Sequence, residues 1–102
     1  MLAVAFLAMA ALNTGDDLLA ACVAQGAERV ACSAMVLGVA NGAMFAATDA
    51  HQKVLCVGPR IRPRDLVEGV RKYLDAHPEL RSKPAALLTY QALKEMLLCP
   101  KG

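Results

Sequence analysis

Pro63-Arg-Asp-Leu-Val-Glu-Gly-Val-Arg-Lys-Tyr-Leu-Asp-Ala-His-Pro78 is the stretch on which the fold turns. Leu66/Val67, Val70 and Tyr73/Leu74 recur three and four residues apart, the spacing that sets side chains on one face of an α-helix. Charged residues fill the other face. Pro63 suits a first helical turn, where its missing N–H costs no bond. His77-Pro78 stops the run, because a residue before proline is pushed out of the helical region. The pattern predicts an amphipathic helix from about Arg64 to His77, one side for a core and one for water.

Downstream, Ala85, Leu88, Ala92 and Met96 recur on one face, with Leu93 and Leu97 alongside. Ser82 is the expected N-cap of this last helix and Pro84 lies near its first turn. The short link His77–Lys83 makes these two helices antiparallel neighbours, and Cys99-Pro100 closes the domain. Upstream, Gly58-Pro59 and Arg62-Pro63 punctuate a loop that follows a short extended piece, Val54-Leu-Cys-Val57. Asp49–Lys53 is a polar break. Before it a long helix runs from Glu28 to about Thr48. A first helix spans Asp16 to about Val23, with Leu18, Leu19 and Cys22 as its stripe. Asn13 or Thr14 caps it, Asp16 and Asp17 face the positive end of its dipole, and Gly26 stops it. Ala and Leu dominate and Thr is scarce, which favours helix over strand. The expectation is an all-α fold, a small four-helix domain.

Val30 to Ala47 carries no charge over 18 residues, and Gly38-Val-Ala-Asn-Gly42 has the small-xxx-small spacing of closely packed helices. Its Ala and Gly content, with Ser33, Asn41 and a cysteine inside and no aromatic belt, argues against a membrane span. A central helix buried on every side is expected instead, its glycines admitting a neighbour and Asn41 requiring a hydrogen-bond partner. The formal charge of +2 is too small to argue for nucleic acid. Arg60, Arg62 and Arg64 lack interleaved aromatics and read as a solvated loop.

Met1 to Leu12 is also uncharged, and Ala8-Met9-Ala10 is a small-x-small site of the kind a signal peptidase cuts, although no basic n-region precedes it. Residues 1–12 are therefore expected to be a signal-peptide remnant and 13–102 a single domain, exported to an oxidising compartment. There an even count of four cysteines reads as a disulfide framework. Three connectivities exist. The Gln25–Ala27 turn sets the first two helices antiparallel and places Cys22 and Cys32 one on each side of the corner. The antiparallel third and fourth helices bring the segment holding Cys56 towards Cys99. Cys22–Cys32 and Cys56–Cys99 are the expected pairs.

Nothing in the chain reads as an active site, and no enzyme, cofactor or metal is expected. His51 and His77 fall at helix ends, where a capping role is ordinary. No two cysteines have the C-x₂₋₄-C spacing of a zinc site. Gly-rich phosphate loops and a serine elbow are absent.

The order Gly15-Asp16-Asp17-Leu18-Leu19, Cys22, Cys32-x₅-Gly38-Val39 and Leu55-Cys56-Val57 is similar to the Rap/Tai immunity proteins. So is Leu66-Val67-x-x-Val70-x-x-Tyr73-Leu74-x-x-His77-Pro78, followed by a helix ending in Leu98-Cys99-Pro100. The resemblance spans Thr14 to Cys99. Met35 stands where that family often has tyrosine, and Asn41 where it often has aspartate. The resemblance implies a periplasmic, non-enzymatic protein, often a homodimer, that neutralises a peptidoglycan amidase effector of type VI secretion. Such an inhibitor must plug a cleft. Two segments qualify here, the charged link His77–Lys83 with His77, Glu79, Arg81 and Lys83, and the loop His51–Arg64 with Arg60 and Arg62. Rival readings are a periplasmic helical chaperone or stress protein, a small membrane-associated protein, and an orphaned family member without a toxin.

Overall fold

Thr14 fixes where the first helix begins. Its Oγ1 accepts a hydrogen bond from Asp17 N at 3.3 Å. Asp17 Oδ2 accepts in return from the N–H groups of Thr14 at 3.2 Å and Asn13 at 3.3 Å. This capping box satisfies donors that a helix start otherwise leaves bare. From it α1 runs over Gly15–Val23. Gly26 then turns the chain with φ +72°, a left-handed conformation that glycine adopts without steric cost. Beyond it come α2 (Ala27–Asp49), α3 (Pro63–Ala76), a single 3₁₀ turn (Pro78–Leu80) and α4 (Ala85–Met96). The computed structural model describes residues 12–49, 55, 56, 58, 60–97 and 99. Residues 50–53, with Val54 and Val57 of the expected extended piece, lie outside them.

No β-strand occurs among the described residues, so the domain is all-α as its periodicity predicts. Both disulfides pair as expected, Cys22 with Cys32 (Cα–Cα 5.1 Å) and Cys56 with Cys99 (Cα–Cα 5.0 Å). Leu18, Val36, Val70, Leu74, Leu88 and Leu93 form the fully buried aliphatic centre, with Cys22 and Cys32 among them. The four helices contribute to it in turn, and each stripe read from the sequence supplies members. Thr89 is the single buried polar residue among those described, and its Oγ1 donates to Ala85 O at 2.8 Å, so its burial leaves no bond unmade.

Two expectations are corrected. Ser82 does not cap α4. The helix starts at Ala85 with Pro84 before it, because residues 81–85 are drawn into backbone pairing with the entry to α1. Gly15 N donates to Lys83 O at 3.0 Å, Asp16 N to Arg81 O at 2.9 Å and Ala85 N to Asn13 O at 2.9 Å, around an antiparallel Thr14–Pro84 bridge. Those long-range bonds outcompete a local serine cap.

The second correction concerns α2. It is not buried on every side. One face supplies Ala31, Cys32, Val36 and Ala40 to the core, while Val30 (67%), Phe45 (79%), Gly38, Asn41 and Gly42 face outward. Its stretch Ala27–Ala46 is long and apolar enough to cross a membrane by length and composition, yet only 22% of it is buried. Three shorter helices do not surround a helix of this length.

The clamp between residues 13–16 and 81–85 sets a steric demand at Gly15. A Cβ there would collide with Leu88 Cδ1 and come within 3.0 Å of Arg81 Cα. Gly15→Ala should therefore destabilise the domain by about 1–3 kcal/mol, the usual cost of overpacking. Chemical denaturation would read this as a lower midpoint with an unchanged slope, and a midpoint equal to wild type would show that the contact gives way freely.

Candidate partner-binding surface

Local chemistry makes the link after α3 rigid. His77 caps α3, its N–H donating to Leu74 O at 3.3 Å. Leu80 N donates to His77 O at 3.0 Å and Lys83 N to Leu80 O at 2.9 Å, closing the link on itself. Leu80 packs against the core and the clamp holds the far end. Pro78, Glu79, Ser82, Lys83 and Pro84 are left exposed on this frame. A surface fixed from three sides loses little conformational freedom when a partner binds.

The link's charged residues differ in availability. Glu79 and Lys83 are exposed. Glu79 Oε1 lies 3.2 Å from His77 Nδ1. Its own backbone N–H and then His77 hold its carboxyl below the ordinary glutamate range, so it is an anion at neutral pH. His77 is half-buried and stacks on Tyr73, with ring centroids 4.4 Å apart. Arg81 is not the freely exposed cation its sequence position predicts. Its side chain is 26% exposed, its Nε lies 3.5 Å from Asp16 Oδ1, and that Nε has no hydrogen-bond partner among the described residues. Arg81 therefore holds the clamp as much as it offers charge.

Tyr73 joins the link to a feature the sequence reading missed. An open groove of about 390 Å³ between α3 and α4 is lined by Tyr73, Gln91, Lys94 and Glu95. Burial, followed by the negative charges of Glu95 and Glu79, pushes the Tyr73 hydroxyl above its ordinary range, so it stays a neutral donor. On the neighbouring turn Lys94 Nζ sits 5.3 Å from the Tyr90 ring. Both tyrosines of the chain thus lie at or beside this groove. The place of Tyr73 at helical spacing from Val70 was the available signal, but a stripe of that kind reads first as core.

The second candidate segment is less complete. Arg60 and Arg62 are exposed, and Arg62 N donates to Asp65 Oδ2 at 2.9 Å at the start of α3. Cys56 N donates to Leu97 O at 2.7 Å, fixing the segment beside the end of α4. His51 lies outside the described residues. Farther along α3, Arg71 bridges Glu68 and Asp75. Its guanidinium, hydrogen-bonded to Glu68, keeps that carboxyl below the ordinary range. These are solvated i,i+3 and i,i+4 pairs of small energetic weight. Among the described residues no group of three or more His, Cys, Asp or Glu could hold a metal ion.

The structure is a small helical domain stapled by two disulfides, with a charged link held by backbone bonds. The family model for Rap1a immunity proteins matches residues 14–99, and the chain belongs to that family. No curated protein and no solved structure matches it. Membership brings with it an immunity role and a cognate effector as partner.

Proposed function

We propose that this protein is a periplasmic immunity protein that binds a peptidoglycan amidase delivered by type VI secretion and blocks its cleft one-to-one, without turnover. The observation that carries the reading is the Rap1a family match over residues 14–99. Two further features support it. Both disulfides suit an oxidising compartment, and the clamped link His77–Lys83 has the rigidity a plug requires. The export signal in this reading ends within residues 1–12. Because Leu12 is buried in the core, cleavage just before it, near Ala11, suits the domain better than cleavage after it. The reading includes a homodimer.

Co-expression with the cognate amidase tests this. Protein directed to the periplasm should rescue cells, and the same protein held in the cytoplasm should not. Lys83→Glu and Glu79→Lys, both at exposed positions, should each weaken amidase binding by roughly tenfold, or about 1.4 kcal/mol, by isothermal titration calorimetry. Full protection after His77, Glu79 and Lys83 are all replaced by serine would reject the link as the plug and move it to the loop bearing Arg60 and Arg62. A folded, oxidised protein that binds no amidase would favour the chaperone or orphaned-member reading.

A further inference from the structure

We infer that the Cys56–Cys99 disulfide is a thiol–disulfide exchange site, open to an incoming dithiol of the Cys-x-x-Cys kind while the domain stays folded, whereas Cys22–Cys32 is closed to it. Access separates the two bonds. Cys22 and Cys32 have no exposure and sit on α1 and α2 inside the core. A thiolate must touch a disulfide sulfur to displace its partner, and it meets these two only after α1 and α2 part. Cys56 and Cys99 are half-buried and lie outside the helices. Both residues of that bond already meet solvent in the folded domain.

The step is a two-electron exchange. One thiolate of the dithiol attacks a sulfur of the pair, and the S–S electrons leave on the other cysteine, which takes a proton. The second thiol of the reagent then attacks the mixed disulfide and frees the remaining cysteine as a thiol. Two electrons and two protons pass to Cys56 and Cys99, and the dithiol becomes a disulfide. The fold tolerates this opening. Leu18, Val36, Val70, Leu74, Leu88 and Leu93 all lie on the helices, and the clamp between residues 13–16 and 81–85 uses neither cysteine. What the bond secures is narrower: Leu55, a core member, and the backbone bond from Cys56 N to Leu97 O at 2.7 Å. Reduction therefore loosens the segment that leads to Arg60 and Arg62 and spares the link His77–Lys83. The inference rests on the two disulfides and not on the effector, so its failure leaves the inhibition test untouched.

Dithiothreitol added to the oxidised full chain without denaturant, followed by N-ethylmaleimide quenching and peptide mapping, should label Cys56 and Cys99 at least about tenfold faster than Cys22 and Cys32. The product of this first phase should keep the Cys22–Cys32 bond and the helical circular dichroism of the native protein. A thioredoxin-type protein whose second active-site cysteine is replaced by serine should be trapped as a mixed disulfide on Cys56 or Cys99. Loss of both bonds at one common rate would overturn the inference, because reduction would then follow global unfolding. Earlier labelling of Cys22 and Cys32 would overturn it too, as would a first-phase product without helical structure. So would a trapped complex on Cys22 or Cys32, or none at all.

Discussion

Replacing Cys56 and Cys99 together by alanine should cost the domain about 4 kcal/mol, because the freed loop restores conformational entropy to the unfolded chain. The cross-link spans a sequence separation of 43, against 10 for Cys22–Cys32, and loop entropy grows with that length. For a domain of this size the melting midpoint should fall by roughly 15–30 °C. The loss should concentrate at one end of the molecule. Cys56 N is bonded to Leu97 O, so in the variant hydrogen exchange at the backbone amide of position 56 should accelerate before that of α1 and α2. A drop of only a few degrees would mean that the unfolded chain is already compact around these two cysteines. Cys22 and Cys32 are fully buried, so removing their bond combines a smaller entropic loss with disturbed packing, and the two variants should differ in how the cost arises.

Leu88→Ala should cost about 2.7–5 kcal/mol, the range for leucines with no access to solvent. Leu88 is fully buried, and its Cδ1 is the atom that a Cβ at position 15 would strike. The pair should therefore be strongly non-additive. In a Leu88→Ala background, Gly15→Ala should cost less than it does alone, because the new methyl enters the vacated space. Part of the cost should persist, since Arg81 Cα at 3.0 Å and Arg81 O at 3.1 Å are backbone and stay in place. Calorimetric unfolding of the two single variants and the double variant reads the coupling directly, and strict additivity would show that Leu88 is not what restricts position 15.

The helices and the Cys22–Cys32 pair were legible because their signals are local, and the Cys56–Cys99 pair because the short link after α3 sets α3 and α4 antiparallel. Pro63 and Pro78 bracket α3, Gly26 turns the chain, and Thr14 with Asp17 forms a cap within four residues. What escaped was set at long range. Ser82 has the residue type of an N-cap, yet its neighbours are drawn into backbone pairing with residues 13–16, which overrides it. Arg81 reads as an exposed cation until Asp16 is brought beside it from the other end of the chain. The apolar run of α2 was correctly read as helix, but hydropathy cannot count neighbours, and so its open face was not foreseen. In the candidate site, the helix-capping place of His77 was readable from its own dipeptide with Pro78. The Tyr73 groove was not, because its lining comes from two helices, Tyr73 from α3 and Gln91, Lys94 and Glu95 from α4.

The clamp also imposes an order on folding. Thr14 and Asn13 find their partners at Pro84 and Ala85, so the start of the domain cannot be sealed until nearly all of it is present. A chain emerging N-terminus first would hold α1 unlatched while α2 and α3 follow, and only the arrival of α4 would lock both ends together. Contacts of such long sequence separation slow folding. In the proposed export, in which the chain crosses a membrane before it folds, that delay would work in its favour: the last element to cross is the one that shuts the structure.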